Sequence, residues 1–276
     1  MWRMRTKINM GVVAAFLLLV AGTTALAGPK TWNTTTGLWD QAGNWLEGSF
    51  PGAGDDVVIT APGANVILTN DTASLGSLTL SQTLTFTNWN TILTAANVTI
   101  LSGGVMACAG PFTDSAMSNR VNLVCTNLLV AAGGRIDVDA LGYAGITNEV
   151  NGNQGYGPGG GTIQGTTNIR GGGGGHGGRG GPGFYNNSLM RSYGGATNGS
   201  AGNPLNPGSG GGGGSGGPSE FSGHGGGAIR IEVAGWVTNN GMITANGGPY
   251  RSGTRSGGGS GFLPDPKQWT ADIFNQ

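Results

Sequence analysis

The side chains of this chain that could do chemistry are few, and the tightest set is Arg135, Asp137 and Asp139. On a strand, alternating positions project to one side, with Ile136, Val138 and Ala140 on the other. Two carboxylates beside a cation could hold calcium or share acid and base work on a polymer. The plainer and preferred reading is a solvated strand face opposite a core. No catalytic residue is therefore assigned, and these three serve only the alternative of a polysaccharide lyase or hydrolase. His176 and His224 sit in matching settings, Gly175-His176-Gly177 and Gly223-His224-Gly225, with no Cys, Asp or Glu at ligand spacing. They read as polar loop residues, and neither a metal nor a cofactor is expected. Cys108 and Cys125 each lie in a strand-like run. They are either a disulfide between adjacent turns of a stack or two small buried apolar residues. Trp32, Trp39 and Trp45 need a surface to bury against. A cap on the open end of a β-stack is preferred over a sugar-stacking platform, which would make the chain a non-catalytic glycan-binding module.

Other chemistry is excluded by pattern. Glycine supplies 59 of the 276 residues, so a chance G-x-G-x-x-G is expected and carries no dinucleotide site. Calcium-binding nonapeptide repeats need an Asp in each unit, and none occurs between Asp139 and Asp265. Arg170 and Arg179, each followed by two glycines, resemble RNA-binding RGG segments. A net charge of zero with 9% charged residues opposes a nucleic-acid partner. No G-x-S-x-G and no Cys/His pair suggests a nucleophile.

The elements that must position these residues begin after an export signal. Arg3, Arg5 and Lys7 precede an apolar run from Gly11 to Val20, and Ala25-Leu26-Ala27 fits small-x-small cleavage. Residues 1–27 are expected to be removed. The apolar run is shorter than the roughly 20 residues a bilayer needs, so no membrane span is expected in the mature chain. Residues 28–56 read as the tryptophan-rich cap. Residues 57–141 are short runs of Val, Ile, Leu and Thr with period-two alternation, broken by Asn, Gly and Ser. The expected inward set is Val57, Ile59, Leu78, Leu80, Val98, Ile100, Leu129, Ile136, Ile231, Val233, Val237 and Ile243.

Residues 123–136 lie over 230–243, pairing Leu129 with Trp236, Val130 with Val237, Gly134 with Gly241 and Ile136 with Ile243. A unit of strand, turn, strand and glycine corner cannot bury its own apolar face, so copies must stack. The two copies should therefore be neighbours. Residues 142–227 between them form a glycine-rich insertion, expected as a compact excursion of extended, backbone-bonded segments pegged by Tyr156, Ile163, Phe184, Tyr193 and Phe221. Residues 228–248 resume the stack. Residues 249–276 change composition at Phe262-Leu263-Pro264-Asp265-Pro266. That segment is either a C-terminal cap or the mark of a fragment of a longer protein, and the small number of turns favours the fragment.

The run Trp39-Asp40-Gln41-Ala42-Gly43-Asn44-Trp45, followed by Phe50-Pro51 and Gly54-Asp55-Asp56-Val57-Val58-Ile59, resembles the start of bacterial exported β-solenoid and autotransporter-passenger-like proteins. Ala228-Ile229-Arg230-Ile231-Glu232-Val233, with Gly241-Met242-Ile243-Thr244-Ala245-Asn246-Gly247, resembles glycine-rich right-handed β-helix proteins of bacterial surfaces. The resemblance implies an all-β, pectin-lyase-like right-handed parallel β-helix, a β-solenoid with a long glycine-rich excursion. It implies a secreted or cell-surface location and, as partners, extracellular glycans or other surface proteins. It implies little about activity, because that superfamily holds lyases, hydrolases and adhesins. The expected role is an exported, non-catalytic structural or adhesive surface protein.

Overall fold

The computed structural model describes residues 27–113, 117–146, 154–162, 171–185, 189–199, 205–214, 222–249 and 273–274. The expected signal peptide, apart from its last residue, lies outside the described residues. So do Ile163, Arg170, Phe221 and the proline segment after Phe262. Among the described residues regular structure is extended, save one turn of 3-10 helix at Ala42–Asn44.

Strands are numbered in chain order. One sheet orders β1 (Pro29–Thr31), β3 (Asp56–Ile59), β5 (Leu75–Leu80), β7 (Leu93–Ile100), β9 (Val121–Val130), β13 (Ile229–Val233) and β16 (Ile273–Phe274). In this sheet β14 (Val237–Asn239) lies beside the far half of β9. The other orders β2 (Thr36–Leu38), β4 (Asn65–Leu68), β6 (Thr83–Phe86), β8 (Val105–Cys108), β10 (Arg135–Asp137) and β15 (Met242–Thr244). Every pairing in both sheets is parallel, and from β1 to β10 the chain alternates between the sheets. A small antiparallel pair, β11 (Gly183–Tyr185) and β12 (Leu189–Ser192), stands outside both.

Parallel register aligns like residues into columns. Val57, Leu78, Val98, Leu128 and Val237 stack through one sheet, and Val66, Leu84, Met106, Ile136 and Ile243 through the other. All but the last of each column are buried, and Val237 and Ile243 are half-buried against the same core. This is the alternation expected from the sequence, with one correction. Leu129 is not inward: it pairs with Thr99 and is half-buried, while Leu128 and Val130 carry the core phase. The cause is the pair of outward residues Thr126 and Asn127, which shifts the phase of β9, and the register between the copies drifts as well. Leu123 meets Ile231, not Arg230, and Leu128 meets Val237, whereas Ile136 meets Ile243 as aligned. The offset between the copies is one residue longer than aligned at Leu123, two longer at Leu128 and as aligned at Ile136, so the ungapped alignment holds only at the end of the unit.

The runs on either side of Ala96-Asn97 and of Thr126-Asn127 join into the long strands β7 and β9. The merged strands are kinked where two successive outward-facing residues break the alternation, at Ala96-Asn97 and Thr126-Asn127. The kinks stack, and Asn127 Nδ2 donates to Asn97 Oδ1 at 2.8 Å. Between sheets the chain turns tightly. The Gly104 N–H bonds the Leu101 carbonyl and the Gly134 N–H that of Ala131, both at 2.9 Å, with Gly103 and Gly133 at φ of 82° and 81°. A positive φ at the third turn position is the type II requirement and selects glycine.

Candidate functional site

Alternation along β10 and beyond buries Ile136 and Val138 and turns Arg135, Asp137 and Asp139 the other way, as the sequence implied. Their polar atoms are committed locally. Arg135 Nε lies 3.4 Å from Asp137 Oδ2, both side chains partly solvated. Asp137 Oδ1 accepts the Asp139 N–H at 3.0 Å. Asp139 accepts the Asn246 N–H at 2.6 Å through Oδ1 and Asn246 Nδ2 at 3.2 Å through Oδ2. Asp139 thus ties the turn after β10 to the segment after β15. These bonds give the three side chains a structural task that needs no substrate.

The histidines differ from expectation. His224 is not a solvated loop residue: it is buried, and its Nδ1 accepts the Gly145 N–H at 2.9 Å, which places the ring proton on Nε2. His176 is half-buried, its Nδ1 finds no partner, and burial lowers its pKa. Among the described residues no group of three His, Cys, Asp or Glu could hold a metal ion. Cys108 and Cys125 are free thiols, so the disulfide alternative does not hold. They lie on β8 and β9, in different sheets, and burial pushes their pKa values to about 12 and about 11. A thiol so protonated is a poor nucleophile.

The three tryptophans form a sealed cluster at the N-terminal end. Trp32, Trp39 and Trp45 are 1%, 4% and 2% exposed, with Trp45 edge-on to each of the others at 5.1 Å. No ring face is open to a sugar, which removes the platform reading of these residues. The indole N–H groups of Trp32 and Trp45 end on the Thr34 and Trp39 carbonyls.

The glycine-rich residues are held by backbone. The N–H of Gly142 goes to Gly225, that of Tyr143 to Gly208, that of Ala144 to Phe112, and that of Gly145 back to His224. Gly208 and Gly211 donate to Gly226 and Gly223, Gly210 to Tyr156 and Gly212 to Gly172. A donor direction recurring every third residue is the period of a polyproline II-type helix. Tyr156, Phe184 and Tyr193 are exposed and peg nothing. Tyr143 is the buried ring instead, edge-on to Phe112 at 4.7 Å.

One polar cluster was not legible in the sequence. Trp89, Arg120, Asn122, Arg230 and Glu232 meet where β9 and β13 pair, and Arg230 and Asn122 are 108 positions apart. No spacing rule reaches across residues 142–227. Comparison of the chain with protein-family models, curated proteins and solved structures gives no match in any of the three.

Proposed function

We propose that this chain is an exported, non-catalytic structural or adhesive protein of the cell surface. Its two parallel sheets would be faces of one right-handed parallel β-helix, a β-solenoid from which residues 142–227 make a glycine-rich excursion. The observation carrying the proposal is the alternation of the chain, from β1 to β10, between two sheets in which each strand up to β8 pairs in parallel with the strand two places on, while β9 and β10 pair with β13 and β15. Such a stack is a rigid rod, suited to holding a surface at a distance. The basic start, apolar run and small-residue cleavage pattern of residues 1–27 support export. Extracellular glycans or other surface proteins are the partners this role requires. The mutual bonds of Arg135, Asp137, Asp139 and Asn246 support a structural over a catalytic use of that face.

Two measurements test the proposal. Expressed with a C-terminal tag, the chain should be recovered outside the cytoplasm with its N-terminus at Gly28, and retention inside with Met1 intact would refute export. Incubated with pectate, alginate, hyaluronan and sulfated glycans, the purified protein should leave them uncut. Cleavage that disappears in Asp137→Ala or Asp139→Ala would make it an enzyme instead.

A further inference from the structure

The alternation that buries Val121, Leu123, Ile231 and Val233 places Asn122, Arg230 and Glu232 on the other face of the first sheet. There Arg230 gives Nη1 to Asn122 Oδ1 at 3.0 Å, and its Nη2 is held by Glu232. Arg120, two residues before Asn122, gives Nε to the Trp89 carbonyl at 2.7 Å and lies over the Trp89 ring, 4.7 Å from its centre. Among the described residues Arg120 has no acidic partner. Burial first, and the Arg230 charge second, lower the Arg120 pKa, which places the two cations within each other's field. Asn122 is fully buried, and its Nδ2 donates to nothing.

The cluster therefore holds two guanidinium groups against one carboxylate, and its one buried side-chain atom without a partner, Asn122 Nδ2, is a donor. A buried donor without an acceptor calls for a partner, and beside a guanidinium with no carboxylate partner among the described residues an anion is the group that meets both. The donors come from Asn122, at the second position of β9, from Arg120, the second residue before it and the one just before that strand, and from Arg230 across the ladder on β13. A tetrahedral oxyanion presents enough oxygens to meet several such directions, and arginine forks are suited to it. We propose that this cluster is a binding site for a sulfate or phosphate group, with Arg120 and Arg230 as the charged ligands and Asn122 as the group that orients Arg230 and supplies the buried donor. The inference stands on these side chains and does not depend on the export reading.

The test uses the full chain titrated with inorganic sulfate and, separately, inorganic phosphate at low millimolar concentration, with ionic strength held by sodium chloride. Thermal melting and the Trp89 indole NMR signal are read together. Saturable stabilisation with a shift of the Trp89 signal is expected, weakened at least about tenfold in Arg120→Gln and in Arg230→Gln. Binding of either anion with that sensitivity supports the site, and the tighter of the two names its source. Stabilisation that is linear in anion, or equal in wild type and variants, is a general salt effect on burial and overturns it. Should a glutamine variant fail to fold, Arg120→Lys keeps the charge but loses the fork. Unchanged affinity there, with wild-type melting in the absence of anion, would equally refute the geometry.

Discussion

The stack of strands and the glycine-rich residues are two answers to one problem, the satisfaction of every backbone polar group. In the stack, ladders use one plane of hydrogen bonds and leave the perpendicular direction to side chains, so Leu78, Leu84, Val98 and Leu128 fill a dry core. In the glycine-rich part, donors point in three directions, and another backbone lies where side chains would be. A Cβ on Gly161, Gly195, Gly210 or Gly225 would meet the carbonyl of Gly172, Gly159, Ala144 or Gly208. The energetics differ accordingly. Apolar burial contributes about 25 cal/mol per Å², whereas a backbone hydrogen bond nets about 0.5–1.5 kcal/mol against the large entropy that glycine loses on ordering. The second region is thus dependent on the first, to which Gly227 is bonded through the Val138 carbonyl and Tyr143 packs through Phe112.

The largest effect should come from the stack. Leu128→Ala removes a fully buried side chain from the middle of a column and should cost about 2–5 kcal/mol in denaturant unfolding. The buried thiols serve as a second readout at pH 8, well below the values of about 12 and about 11 that burial gives Cys108 and Cys125. Alkylation of both should accelerate in the variant, and unchanged rates would show that the column is not the cooperative core. A smaller, local effect is expected from Gly210→Ala, at about 1–3 kcal/mol for the steric conflict it creates. Hydrogen exchange should quicken at the amides of Tyr156 and Gly212 while those of β7 stay protected. Gly181→Ala, where an added Cβ meets nothing within 4 Å, should stay within about 0.5 kcal/mol of wild type. Equal effects of the two glycine changes would break the comparison between backbone-packed and open positions. A small effect is also expected of Asp137→Ala, which removes a partly solvated ion pair and should cost under about 1 kcal/mol. A larger loss in denaturant unfolding would mean that the turn after β10 matters more than its exposure suggests.

Much of this was legible before any coordinates. Period-two alternation identified Val57, Ile59, Leu78, Leu80, Val98 and Ile100 as inward because one face of a strand must be dry. The two copies of the repeat proved to be hydrogen-bonded neighbours, β13 on β9 and β15 on β10. Where the reading missed, the reason was local. Leu129 was misplaced because alternation counted along β9 runs through Thr126-Asn127, where two successive outward residues shift the phase. His224 was misjudged because glycine neighbours suggest a loop, whereas a lattice of glycine backbones has an interior in which an imidazole can accept an amide proton. The exposed Tyr156 and Tyr193 were mistaken for pegs because aromatic burial is the usual expectation, and this region packs through its backbone instead.

Sequence by itself determined what depends on neighbours along the chain: the alternation of faces, the glycines at the turns, the tryptophans that close one end and the low charge. Tertiary structure alone decided what depends on the return of the chain after residues 142–227. Nearer in the chain, it chose Leu128 over Leu129 for the core through the pairing of β9 with β7 and put Cys108 and Cys125 on different sheets. It also brought Arg230 and Glu232 to Asn122, Arg120 and Trp89. The physical reason is that strand register is set by hydrogen bonds to a partner strand, and a partner more than a hundred residues away leaves no periodic mark in the sequence between them.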